Sequence, residues 1–153
     1  MKLRMIFGTL AVAWIASLSY GTLQAKQAAA APGGKSVWDG VFSKEQADRG
    51  AAAFKANCSE CHGNDLAGDG FAPALTGSDF MGNWTDLTVG DLFERIRISM
   101  PQSAPGSLSR QQNSDILAFI LRKMNMPVGQ AELSTSTDEL KGIKFLAAKP
   151  GAN

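Results

Sequence analysis

A single pentapeptide, C-S-E-C-H at residues 58–62, contains both cysteines and the only histidine of this 153-residue chain. One histidine excludes every metal site that needs two or more imidazoles. Two cysteines allow at most one disulfide, and a bridge across two residues closes a loop too short to add much stability. Any metal chemistry of this chain therefore centres on His62 and the two neighbouring thiols.

The C-x-x-C-H spacing is typical of covalent haem attachment. Thiols three positions apart reach the two vinyl groups on one porphyrin edge, and the adjacent imidazole ligates the iron. A zinc site lacks a fourth ligand, because no other cysteine or histidine exists. A thioredoxin-like pair requires a helix that starts at the first cysteine, whereas the pattern here predicts one that ends there. We therefore predict one haem c per chain, attached through Cys58 and Cys61 and ligated by His62.

The N-terminus has the pattern of an export signal. Lys2 and Arg4 precede an apolar run of about 14 residues, and a more polar stretch ends at the small residue Ala25. The run is shorter than the roughly 20 residues of a membrane-spanning helix. We expect residues 1–25 to be a cleaved signal peptide, the mature protein to be periplasmic, and no transmembrane segment to remain.

The rest of the chain divides into three predicted parts. Residues 26–36, rich in Ala, Gly and Pro, are predicted to be a flexible leader. Residues 37–128 are predicted to form the folded domain, and residues 129–153 a C-terminal extension that packs as an extra helix or strap. Without Lys2 and Arg4 the chain has 13 basic and 14 acidic residues, which argues against nucleic acid as a partner.

Helical signals dominate the predicted domain, and strand signals are negligible. Three helices are predicted, each with a capping pair: Ser43 and Gln46, Thr88 and Asp91, Ser109 and Gln112. Residues 63–86 contain five glycines and no sustained periodicity, which predicts a long loop that wraps a ligand. We expect an all-α domain of three to five helices around one haem.

Methionine is the remaining soft donor for the sixth iron position. Met1 and Met5 leave with the signal, and Met124 and Met126 fit core packing at a helix end. Met100 is favoured, because it follows the second predicted helix and precedes Pro101, whose fixed φ stiffens an extended segment. Met81, in the long loop, is the main alternative.

The motifs together resemble a class I cytochrome c over residues 43–124. They are C-x-x-C-H, A-P-A-L at 72–75, S-M-P at 99–101 and D-I-x-A-F-I at 115–120. Within that class the chain is most similar to the cytochrome c domains of quinoprotein (PQQ) alcohol dehydrogenases. The motifs of that closer resemblance are C-H-G-x-D-L-x-G-x-G at 61–70, A-P-A-L-x-G at 72–77, F-x-x-x-W at 80–84 and M-P-x-x-x-P-G-S-L-S at 100–109.

The resemblance implies roles for individual residues. His62 and Met100 would ligate the iron, and the Pro73 carbonyl would accept a hydrogen bond from the other ring nitrogen of His62. Leu75 would pack on the haem face, and Trp84 would approach a propionate or pack as a core indole. The first and last helices would cross where Gly50 and Phe54 meet Ile116 and Phe119, so that a larger residue at Gly50 would be costly.

These assignments predict an exported monohaem electron carrier and no catalytic residues. The expected partners are a PQQ-type dehydrogenase as donor and an oxidase or another cytochrome as acceptor, with the protein monomeric or weakly associated. The predicted docking patch is the haem edge near Cys58, residues 72–73 and residues 100–105. Arg95, Arg97 and Arg110 are expected to form a solvated helix face.

Two other classes stay open. One is a haem enzyme or gas-binding protein with an open sixth position, and the other is a permanent relay subunit of a larger oxidoreductase.

Overall fold

The structure is a computed structural model and describes residues 34–151. Six helices and two short strands occur in this part of the chain, in the following order. They are β1 (Lys35–Ser36), α1 (Lys44–Asn57), α2 (Ser59–His62), α3 (Gly77–Trp84), α4 (Val89–Ser99), α5 (Arg110–Lys123), α6 (Thr137–Lys141) and β2 (Ile143–Lys144). The predicted signal peptide and most of the predicted leader lie outside the described residues. None of the helices in residues 34–151 is long and apolar enough to span a bilayer.

The three predicted helices are α1, α4 and α5. Thr88 with Asp91 and Ser109 with Gln112 form complete capping boxes at the starts of α4 and α5. At the start of α1 the Ser43 hydroxyl accepts a hydrogen bond from the Gln46 backbone N–H. The Gln46 side chain does not complete this box, because it bonds elsewhere in the core.

Helices α1 and α5 cross at Gly50. A Cβ at this position would lie 1.8 Å from the Asp115 carbonyl oxygen and 3.0 Å from the Cβ of Phe119. Only a hydrogen fits this crossing, so the expected close approach at Gly50 is confirmed. One turn further along α1, the rings of Phe54 and Phe119 pack with their centroids 5.3 Å apart.

Residues 129–145 complete the core around this crossing. The buried side chain of Gln46 accepts a hydrogen bond from the Leu133 N–H at 2.7 Å and donates to the Leu133 carbonyl at 3.1 Å. Leu140 and Phe145 are fully buried. The extension thus packs as both a helix and a strap, and it occupies the side chain that would otherwise complete the capping box of α1.

The extension also closes a two-stranded sheet. Strand β2 pairs in parallel with β1, with Lys35 opposite Ile143 and Ser36 opposite Lys144. Beyond it, the Phe145 carbonyl accepts a hydrogen bond from Asp86, and the Phe145 N–H donates to the Leu87 carbonyl. These bonds fasten the segment between α3 and α4.

The all-α prediction is confirmed, with three differences in detail. The described residues contain six helices where three to five were expected, because α2 and α6 have only 4 and 5 residues. The small parallel sheet lacked a sequence signal, since each strand has two residues. The predicted long loop at residues 63–86 contains α3, which two glycines conceal in the sequence.

Candidate haem site

A cavity of about 880 Å³ opens between α1, α3, α4 and α5, a volume in the upper range for ligand sites. Its wall is mainly apolar and includes Phe54, Leu75, Phe80, Leu92, Ile96, Ile116 and Ile120. The remaining predicted site residues, Cys58, Cys61, His62, Pro73, Trp84 and Met100, also line this cavity. The fold therefore brings all seven predicted site residues to one place.

The pentapeptide bends the chain directly after α1. Cys58 ends α1, its N–H donating to the Phe54 carbonyl, and the single turn α2 carries the chain to His62. Cys58 is half-buried and Cys61 exposed, both with free thiols. Burial, with a smaller contribution from the neighbouring Cys61, raises the pKa of the Cys58 thiol to about 11. The free thiol of Cys58 is therefore protonated at neutral pH.

The ring of His62 is buried and oriented by the chain itself. Its side of the cavity is formed by residues 58–75, which we call the histidine segment. The Nδ1 atom of His62 lies 2.9 Å from the Pro73 carbonyl oxygen, the contact that the resemblance implies. With Nδ1 protonated toward Pro73, Nε2 is left with a lone pair for a metal.

Several backbone hydrogen bonds fold the histidine segment back on itself. Gly68 donates to the His62 carbonyl at 2.9 Å, and Leu75 donates to the Leu66 carbonyl at 2.8 Å. The Asp69 carboxylate accepts from the N–H groups of Phe71 and Ala72, which lowers the pKa of Asp69. The loop is therefore ordered by its own polar contacts, and Leu66 anchors it in the core.

Met100 caps the C-terminus of α4 and begins the methionine loop, defined as residues 100–108. Its N–H caps α4 by donating to the Ile96 carbonyl, and its backbone is extended. The alternative donor, Met81, lies on α3, packs half-buried against the core and is not among the residues that line the cavity. This placement favours Met100, whose ligation stays a prediction.

Leu75 and Trp84 complete the predicted set. Leu75 is half-buried in the cavity wall. Trp84 ends α3, half-buried, with its ring centroid 6.2 Å from that of Phe80. Their roles toward a haem stay predictions.

Of the three arginines expected at a solvated face, Arg95 and Arg110 are exposed and Arg97 is half-buried. Arg97 pairs with Glu94 on the same helix, and Arg110 bonds to Thr135 and Thr137. Arg95 instead lines the cavity.

Phe71, fully exposed at the cavity mouth, was also missed. No sequence signal showed that Arg95 and Phe71 line the cavity. The side of α4 that faces the cavity and the exposure of the Phe71 ring both depend on tertiary structure.

The donor set fits a haem better than a bare metal ion. Two thiols, one imidazole with its free nitrogen set by Pro73, and one thioether lie around a largely apolar cavity. In residues 34–151 no group of three or more His, Cys, Asp or Glu side chains is arranged to hold a metal ion.

Comparison with known proteins identifies a cytochrome c domain in this chain. Residues 45–120 match the family model described as cytochrome C oxidase, cbb3-type, subunit III. No curated protein matches the chain significantly. Among solved structures, the chain is similar to one in the crystal structure of the sulfane dehydrogenase SoxCD from Paracoccus pantotrophus, with 23% identity and a TM-score of 0.48. The match covers 71% of this chain and 61% of that chain. Residues 45–120 therefore form a cytochrome c domain, and the mostly helical structure is consistent with the class I cytochrome c fold.

Proposed function

We propose that this chain is an exported monohaem c-type cytochrome that carries single electrons from a periplasmic quinoprotein dehydrogenase toward a terminal oxidase. One observation carries the proposal: Cys58, Cys61, His62 and Met100 line the same mainly apolar cavity. A haem bound there supplies one reversible one-electron couple.

The residues of the chain have distinct tasks in this proposal. Cys58 and Cys61 hold the cofactor through thioethers, so that it stays bound in both oxidation states. The Pro73 carbonyl fixes the ring of His62, which keeps the ligand geometry constant and limits reorganisation during electron transfer. Met100 would supply the second protein ligand of the iron and would thereby exclude oxygen and peroxide. Leu75 would pack on the haem face, and Trp84 would approach a propionate or pack as a core indole.

The edge of the cavity supports transient docking. Cys61, Pro73 and Phe71 are exposed there, as are residues 102–105 of the methionine loop. These side chains are mostly small or apolar, which suits the small and weak interfaces of redox encounters. Export by residues 1–25 would place this edge in the compartment of quinoprotein dehydrogenases.

The spectrum of the purified oxidised protein tests the ligand set. We expect a weak sulfur-to-iron charge-transfer band in the near red. Met100→Ala should abolish this band and lower the potential, whereas the matched variant Met81→Ala should keep both. Loss of the band in Met81→Ala alone would overturn the assignment of Met100.

A second candidate function follows from the loose attachment of the methionine loop. The described structure shows no hydrogen bond between residues 101–107 and another segment, which favours a ligand that can leave. A high-spin spectrum of the wild-type protein would overturn the proposal of an electron carrier and would favour a haem enzyme or a gas-binding protein.

The donor requires a separate test. The oxidised protein is mixed with a purified PQQ-dependent alcohol dehydrogenase, and haem reduction is followed after alcohol is added. Rapid reduction that depends on both enzyme and alcohol supports the proposed donor. Absence of reduction at micromolar concentrations of both proteins excludes that dehydrogenase.

A further inference from the structure

The charged side chains that line the cavity include two carboxylates and one guanidinium. Three of the described lining residues carry formal charge at neutral pH: Glu60, Asp69 and Arg95. Both carboxylates belong to the histidine segment, and that of Asp69 is occupied by the backbone of Phe71 and Ala72. Arg95, on α4, is therefore the one cation that the described chain presents to the cavity.

Arg95 also differs from the other arginines of the described structure. Arg49, Arg97, Arg110 and Arg122 each form an ion pair with an Asp or Glu. No carboxylate of residues 34–151 lies within ion-pair distance of Arg95. Its neighbour on the helix, Glu94, is already held by Arg97 and Thr137. An unpaired guanidinium at the mouth of a mainly apolar cavity suits a carboxylate brought by the ligand.

We propose that Arg95 binds a propionate carboxylate of the haem, an inference that rests on the proposed function of the cavity. Haem carries two carboxylates, and a carboxylate at an apolar wall needs a paired donor. Asn83 and Trp84, which line the same cavity, add N–H groups that can share this task. Arg95 is thus a positioning residue, which orients the cofactor and adds positive charge beside the iron.

The pH dependence of the midpoint potential of the holoprotein tests this role. In R95Q we expect the potential to fall, because a positive charge near the iron stabilises the reduced state. We also expect the propionate inflection to move upward by about one pH unit, since the ionised carboxylate loses its partner. R97Q is the matched control: the residue lies two positions away, pairs with Glu94 and does not line the cavity.

Glu60, Asp69 and His62 also face the cavity, and both variants leave them unchanged. R95K keeps the charge without the planar fork, so its curve should lie between those of wild type and R95Q. If R95Q accumulates without haem, R95K replaces it in the comparison with wild type and R97Q. Coincident curves for R95Q, R97Q and wild type would overturn the proposal. A wild-type protein without a bound haem would instead overturn the proposed function itself.

Discussion

The two sides of the cavity are built in different ways. The histidine segment is folded by hydrogen bonds that span 6, 9 and 11 residues, from His62 to Gly68, Leu66 to Leu75 and His62 to Pro73. The methionine loop contains only short-range backbone bonds, from Ala104 to Pro101 and from Ser107 to Ala104. Residues 102–107 are all exposed.

The histidine segment carries the residues proposed to attach the haem, and the methionine loop carries the proposed sixth ligand. The histidine segment, which carries the two thiols and the imidazole, is joined to itself by hydrogen bonds between distant positions of the segment. The methionine loop has no comparable support and depends on its ends at Met100 and Leu108. We infer that the loop is the first part of the site to open.

The largest effect is expected from a glycine in the histidine segment. Gly68 has a φ of +74°, and a Cβ there would lie 2.3 Å from the Ala72 carbonyl oxygen. Gly68→Ala should lower the free energy of unfolding by about 3 kcal/mol, because backbone strain and a backbone clash add together. Denaturant unfolding of the holoprotein measures this change.

The methionine loop offers a matched control. Gly106 has the same φ of +74°, but its Cβ would meet only the Arg97 carbonyl oxygen at 3.8 Å. Gly106→Ala should therefore cost only about 1 kcal/mol, from the left-handed backbone alone. Equal costs at the two glycines would mean that the histidine segment is no more tightly packed than the loop.

The second prediction concerns the wild-type holoprotein in increasing denaturant. The near-red band reports the sixth ligand, and far-UV circular dichroism reports the helices. We expect the band to disappear first, with an opening free energy about 2 kcal/mol below that of global unfolding. Coincident transitions would show that the methionine loop opens only with the whole domain.

The sequence predicted the histidine segment well because its chemistry is local. The pentapeptide places both thiols and the imidazole within 5 residues, and the resemblance implied the contact with Pro73. Helix α3 was missed because Gly77 and Gly82 weaken its periodicity and Thr76 makes no side-chain cap. The bonds of Gln46 to the extension could not be foreseen, since they join residues 87 positions apart.

The third prediction tests the one side chain that ties down the end of the methionine loop. The Nδ2 group of Asn113 donates to the carbonyls of Leu108 at 3.2 Å and Ser109 at 2.9 Å. Asn113→Ala should lower stability by about 1–2 kcal/mol, because the carbonyls of Leu108 and Ser109 lose a side-chain donor, while within residues 34–151 the buried Oδ1 of Asn113 has no hydrogen bond to lose. The near-red band should then be lost at lower denaturant concentration.

The control for Asn113 lies on the same helix. Gln111 bonds to Asp115 and makes no contact of this kind with the loop. Gln111→Ala should shift the global unfolding transition only slightly. The difference in denaturant concentration between the loss of the near-red band and global unfolding should stay unchanged. If both variants move the two probes in parallel, Asn113 stabilises α5 and has no special link to the loop.

The smallest effect is expected behind the methionine loop, at Glu94 on α4. Its carboxylate accepts hydrogen bonds from Arg97 at 2.6 Å and from the Thr137 hydroxyl, which joins α4 to α6. These bonds lower the pKa of Glu94 to about 2, with Arg97 the larger cause. Because the pKa is lower in the folded protein, this stabilisation is complete above about pH 4.5 and is lost as the pH falls toward 2.

Glu94→Gln should therefore lower the free energy of unfolding by about 1 kcal/mol at pH 7, a value reduced by partial exposure of the pair. It should also flatten the pH dependence of stability between pH 4.5 and 2, the interval between the ordinary and the lowered pKa. Glu45→Gln, at an exposed position on α1, provides the control. Since Glu94 stabilises α4, whose C-terminal cap residue is Met100, acid should weaken the near-red band before it disturbs the hydrogen bond between His62 and Pro73. Loss of both at the same pH would show that the two sides of the cavity are coupled more tightly than their hydrogen bonds indicate.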